Sequence, residues 1–235
     1  MTSSKAIETV LLPGLYGTGE LFDPLLRVAP EDSEITVVTY PSETGIDFDR
    51  LVEIAESRIP DDKPVQIVAE SFSGLVAIRL LTRNNQNYKR VVFCATFASP
   101  PLPKVNWLIN SILRLMRAWP GLVKFGVQHF CLNGSKSQST IDPTSRAINH
   151  IPTPVLQERL EMIGSLNLID ELQQINIPSV YLLPGKDRLV PRRCAQGFIE
   201  SMPSIAVHEI DGPHFLLQAS PGVAAKVTFG ENVIT

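Results

Sequence analysis

Short apolar runs rich in β-branched residues alternate along the chain with stretches whose apolar positions recur at helical spacing. Runs of the first kind suit strands buried on both faces, and their alternation with helices is the pattern of βαβ units around a parallel sheet. Strands are expected at 7–12, 35–40, 65–70, 91–95, 179–183 and 206–210, and helices at 47–58, 72–82, 192–201 and from 215 onward. The interval from about 102 to 175 breaks the alternation. It keeps helical spacing, with Leu108, Ile112, Leu115 and Trp119 on one stripe, but holds no convincing strand. Pro100, Pro101 and Pro103 close the fourth strand and Pro178 opens the fifth, so this interval reads as an inserted helical lid. The expected fold is α/β: a single domain over 1–235, with a mostly parallel sheet of about six strands, helices on both faces and the lid at about 102–175.

Composition narrows the function. Hydrophobic residues make up 44% of the 235, enough for one core of that size. A net charge of −3 lacks the basic excess of a nucleic-acid-binding surface, so no nucleic-acid partner is expected. The first ten residues, MTSSKAIETV, have no secretory apolar stretch, and the longest apolar runs fall far short of the ~18–20 residues a membrane span needs. Cys94, Cys131 and Cys194 are widely separated and form no CxxC pair, which argues against a disulfide framework or a zinc site. A soluble protein of the reducing cytoplasm is expected.

The strongest chemical signal is Val65-Gln-Ile-Val-Ala-Glu-Ser71-Phe-Ser-Gly-Leu-Val-Ala77, in which an apolar strand runs through a serine into an apolar helix. A strand-to-helix turn this tight exposes the serine and requires small residues two before and two after it, here Ala69 and Ser73. Ser71 is therefore the candidate nucleophile. Reading Ser73 instead puts Leu75 at a position that must be small. Asp187 follows the expected fifth strand in Gly185-Lys-Asp187-Arg-Leu-Val-Pro191, where an Asp also suits a helix cap. His214 follows the sixth strand in Asp211-Gly-Pro-His214-Phe215. All three lie at the carboxyl edge of one parallel sheet, in the chain order Ser, Asp, His. His208 sits within a strand and His129 and His150 in the insertion, so they fit this role less well. The Pro13-Gly-Leu-Tyr-Gly-Thr-Gly19 loop has neither a GK[ST] ending nor a well-formed GxGxxG, and reads better as an oxyanion loop than as a phosphate cradle. The Leu15 and Phe72 N–H groups are the expected oxyanion donors.

The Pro-Gly loop, ESFSG at 70–74, GKDRLVP at 185–191 and DGPHF at 211–215 together resemble the α/β-hydrolase superfamily over nearly the whole chain. Relatives commonly carry His-Gly where Pro13-Gly14 stands and Gly where Ala69 and Ser73 stand. The resemblance implies a lidded serine hydrolase of the small carboxylesterase type, without the superfamily's first two strands. It would cleave a carboxylic ester or thioester through an acyl-enzyme on Ser71, needing no metal and no organic cofactor. A serine rather than an aspartate at the elbow argues against epoxide hydrolase or dehalogenase chemistry.

Within the insertion, Trp107, Met116 and Phe130, with Tyr16 of the first loop, are expected to line the pocket of a small-molecule ester. Lys104, Arg114, Arg117, Lys124 and Lys136 lie in a stretch without an acid, and Arg114 and Arg117 share a helix face. Small hydrolases resembling pimeloyl-acyl-carrier-protein methyl ester esterase use a basic lid to dock an acidic carrier protein, which gives one alternative. A small-molecule receptor that retains the triad gives another.

Overall fold

Six strands hydrogen-bond into one sheet in the order β2-β1-β3-β4-β5-β6, with every neighbouring pair parallel. They are β1 Glu8–Leu12, β2 Ile35–Val37, β3 Val65–Glu70, β4 Tyr88–Cys94, β5 Ser179–Pro184 and β6 Ala206–Ile210. The computed structural model describes residues 7–83, 87–101, 129, 131–132 and 151–230. β1 and β3 are buried at every position, as the unbroken apolar runs require, whereas the edge strands β2 and β6 are partly exposed.

Side-chain alternation divides the core in two. Val10, Leu12, Ile67, Ala69 and Phe93 face one side of the sheet, and Leu11, Val68, Val92, Cys94 and Leu182 face the other. The first face is covered by α2 (Phe48–Glu56), α3 (Ser73–Thr82), α4 (Thr153–Ser165), α5 (Ile169–Leu172) and α6 (Arg193–Ser201). α2 shows how the sequence makes such an element. Asp47 accepts a hydrogen bond from the Arg50 N–H at 2.8 Å, and Phe48, Leu51, Val52 and Ala55 form its buried stripe. The second face is covered by α1 (Asp23–Leu26), α7 (Leu216–Ala219) and α8 (Pro221–Phe229). Arg90, buried at the far end of the sheet, donates to the Val227 and Thr228 carbonyls at 2.7 and 2.9 Å and so anchors the C-terminus of α8.

The structure departs from the sequence expectations at particular places. β2 ends at Val37 rather than residue 40, because the Tyr40 N–H donates to the Gly17 carbonyl at 2.8 Å and its ring turns in toward the elbow. The helix expected from 215 is two short helices separated at Ser220-Pro221, where proline lacks the N–H that a continuous helix would use. A 3-10 turn over Gly19–Phe22 and α1 behind it were not expected at all. Of the expected lid, α4 and α5 are described, and both pack on the first sheet face. Among the described residues no helix is long and apolar enough to cross a membrane.

The strand order has a functional consequence. From β1 the chain crosses to one side to form β2 and then returns to form β3 on the other side of β1. The loops leaving the carboxyl ends of β1 and β3 therefore diverge, which opens a crevice at a topological switch point, the usual place for a ligand in such sheets. Those are the loops that carry Leu15 and Ser71.

Candidate active site

Ser71 stands at the end of β3 with φ 52°, in the left-handed region that non-glycine residues seldom occupy. Hydrogen bonds on both sides hold it there: its N–H donates to the Cys94 carbonyl at 2.9 Å, and its carbonyl accepts from the Gly74 N–H at 3.0 Å and the Thr96 hydroxyl at 2.5 Å. Strain that the surroundings enforce in this way is typical of functional turns. A Cβ on Gly74 would collide with the Thr96 side chain, so the close approach of α3 to the loop after β4 requires glycine at that position.

The three residues singled out from the sequence come together. His214 Nε2 lies 3.0 Å from Ser71 Oγ, and His214 Nδ1 lies 2.8 Å from Asp187 Oδ2. The His214 and Asp187 side chains are both 4% exposed, so their contact is well shielded from water. Asp187 serves two purposes through different oxygens. Oδ1 accepts from the Leu189 and Val190 N–H groups at 2.7 and 2.9 Å, organising the turn into α6, while Oδ2 faces the imidazole. Asp211, nearer in sequence to His214, is 75% exposed and pairs with Lys186 at 2.7 Å.

Ser73, the competing serine, is fully buried. Its hydroxyl donates to the Pro13 carbonyl and bonds the Tyr40 hydroxyl at 2.7 Å, tying the first turn of α3 to the loop after β1. Gly14 of that loop packs close enough that a Cβ there would lie 3.7 Å from the Ser71 Cβ. Among the described residues, neither the Leu15 nor the Phe72 N–H donates to a backbone carbonyl. Tyr16 is half-buried, meets the Phe215 ring edge-on at 6.5 Å, and lines a cavity of about 300 Å³ with Tyr40, Thr18, Thr39 and Ser42. Trp107, Met116 and Phe130, and also Arg114 and Arg117, lie outside the described residues.

Two buried residues beside this site carried no signal in the sequence. Glu70, directly before Ser71, is 1% exposed and accepts from Gln218 Nε2 at 3.0 Å; burial pushes its carboxyl up to about 7, with Gln218 and the nearby His214 opposing the rise. Arg159 of α4 reaches the loop after β1, donating to the Leu15 carbonyl at 2.8 Å. An acid inside an apolar strand and an arginine on a helix look like surface residues until the tertiary contacts are known.

The fold has known counterparts. The enol-lactonase from Burkholderia xenovorans LB400 superposes with a TM-score of 0.82 at 13% identity, over 97% of this chain and 92% of that one. The bromoperoxidase from Bacillus anthracis gives 0.82 at 15% over 96% and 92%, and a thermophilic esterase from Thermogutta terrifontis gives 0.80 at 14% over 96% and 89%. At such identities the likeness is one of fold. No curated protein matches the sequence. The pattern of the Alpha/beta hydrolase family matches residues 9–227, nearly the whole of a chain whose six-stranded parallel sheet has the family's architecture, and the protein belongs to that family.

Proposed function

We propose that the protein is a serine hydrolase that cleaves a carboxylic ester or thioester of a small molecule through an acyl-enzyme on Ser71. The observation that carries the reading is the continuous hydrogen-bonded line from Ser71 Oγ through His214 to Asp187, at 3.0 and 2.8 Å. A serine hydroxyl is a weak nucleophile until a base accepts its proton. His214 Nε2 takes that proton as Oγ bonds to the carbonyl carbon, and Asp187 holds the ring in the tautomer this needs and stabilises the imidazolium. The carbonyl electrons move onto oxygen, where the Leu15 and Phe72 N–H groups receive the developing charge. The alcohol or thiol leaves with the proton from His214, and water, activated by the same imidazole, then cleaves the acyl-serine bond. An esterase and an enol-lactonase among the structural neighbours are in keeping with acyl transfer from oxygen.

Turnover of p-nitrophenyl esters of graded acyl length, run on the wild type and Ser71→Ala together, tests the reading. The variant is expected to lose roughly 10⁴ to 10⁶ in kcat while keeping its thermal midpoint. A fluorophosphonate should label the wild type once, at Ser71. Labelling at Ser73, or activity retained in the variant, refutes the assignment.

A further inference from the structure

Arg159 is 2% exposed, yet it makes no ion pair among the described residues. Its two terminal nitrogens are instead spent on backbone carbonyls from separate segments. Nη1 donates to the Leu15 carbonyl at 2.8 Å and Nη2 to the Pro41 carbonyl at 2.8 Å, while the guanidinium lies 5.8 Å from the centre of the Tyr40 ring. Burying a cation without a counter-ion is unfavourable, and Arg159 pairs that burial with a fixed fork that holds two carbonyls at once.

The place it grips is informative. The oxyanion loop is pinned at two points two residues apart: Ser73 on α3 bonds the Pro13 carbonyl and Arg159 on α4 bonds the Leu15 carbonyl. Between them lies the peptide whose N–H, that of Leu15, is the proposed oxyanion donor. Tyr40 links the two pins, bonding Ser73 through its hydroxyl and packing its ring under Arg159. Gly17 completes the fit. Its φ of +71° turns the loop, and a Cβ there would lie 2.6 Å from Arg159 Nη1. α4 is seated on the same side by a second contact, in which the Glu158 carboxylate accepts from the Gly45 N–H at 3.1 and 3.0 Å.

We infer that Arg159 is a positioning residue for the oxyanion hole: by holding the Leu15 carbonyl it aims the Leu15 N–H at the oxyanion, so that the seating of helix α4 on the sheet sets catalytic competence. The inference rests on the acyl-enzyme reading. It predicts a defect in transition-state stabilisation rather than in substrate binding, because a ground-state carbonyl depends less on a correctly aimed donor than the oxyanion does.

The test uses the intact protein with p-nitrophenyl butyrate and a fluorophosphonate. Arg159→Met should lower kcat by ~10- to 100-fold with KM held within about twofold, the pattern of a lost transition-state interaction. The rate of labelling at Ser71 should fall in parallel, since phosphonylation also places negative charge on the oxygen. Arg159→Lys, which keeps the charge but cannot grip both carbonyls, should be impaired in the same sense, and it carries the test if the Met variant does not fold. Millimolar guanidinium should recover part of the kcat of Arg159→Ala and none of that of Ser71→Ala. Wild-type kcat in either folded variant, a loss confined to KM, or a loss that guanidinium does not recover overturns the inference. Failure of the wild type to label at Ser71 instead overturns the acyl-enzyme reading beneath it, so the two failures are distinguishable.

Discussion

Glu70→Gln isolates the electrostatic consequence of burying a carboxyl beside Ser71. Desolvation lifts the Glu70 carboxyl from an ordinary 4.5 to about 7, against the opposing effects of the Gln218 amide and the His214 imidazole, while the Cys94 thiol on β4 and Asp187 lie near the same region. Between these two pH values the folded chain still holds a proton that the unfolded chain has released. Stability therefore falls as pH rises through this window, at about 1.4 kcal/mol per pH unit, and levels off above about 7. Going from 4.5 to about 7 gives a total loss of about 3 kcal/mol. Glutamine keeps the shape and can still accept from Gln218 Nε2, but it does not titrate. The stability of the variant minus that of the wild type should therefore climb by about 3 kcal/mol from below pH 4.5 to above pH 7. Any fixed penalty for placing the second amide shifts the whole curve without changing its slope. Urea unfolding followed by far-ultraviolet circular dichroism across that range measures the difference, and repeating the pair in a His214→Asn background removes the influence of the imidazole on Glu70. A difference that stays flat with pH would refute the reasoning, because Glu70 would then release its proton at the same pH in the fold as in the unfolded chain.

Asp187→Asn should lower kcat on p-nitrophenyl acetate by up to about 10⁴ by favouring the wrong imidazole tautomer, whereas Asp211→Asn, whose partner Lys186 is a surface lysine, should change it by less than about twofold. The reverse pattern would move the orienting acid to Asp211. Gly74→Ala drives a methyl group into Thr96 and should cost about 1–3 kcal/mol in urea unfolding, with part recovered by adding Thr96→Ala; an unchanged midpoint would count against the close approach of α3. Reversing Arg114 and Arg117 to Glu tests the basic lid as a docking face: KM for an acyl-carrier-protein ester should rise, most steeply at low salt, with kcat/KM on a neutral ester unchanged. An equal loss on the neutral ester would assign these arginines to lid structure.

The parts of the site that were legible in the sequence are those that depend on local chain. β3 and its turn announce themselves because an apolar run, a serine and an apolar helix are contiguous, and the same holds for Asp187 after β5 and His214 after β6. Their convergence also followed from the sequence, since parallel strands present all their carboxyl ends at one edge. What stayed hidden is built from contacts between distant segments. Arg159 meets Leu15 across 144 positions, and Gln218 meets Glu70 across 148, with no local pattern to betray either pair. β2 stops early for the same reason, since Tyr40 is drawn toward α3 and the loop after β1 instead of continuing the ladder.

The elbow shows how a local rule can be satisfied for a reason the rule does not contain. Sterics alone ask only for something small at position 73, and glycine would answer. Serine there adds a buried hydroxyl that bonds both Pro13 and Tyr40, so the atom that distinguishes this elbow from the commoner glycine form is also the atom that ties α3 to the loop after β1. The steric demand falls with full force one residue later, on Gly74, where Thr96 leaves no room for a side chain. Thr96 in turn donates to the Ser71 carbonyl and accepts from the Tyr181 hydroxyl through its own carbonyl, at 2.5 and 2.6 Å, so the crowding that forbids a Cβ also braces the strained residue. The left-handed conformation of Ser71 is thus held from two directions, by the loop after β4 on one side and by the first turn of α3 on the other. The departure from glycine at position 73 leaves the half-buried Ser71 in place and adds two hydrogen bonds to its surroundings.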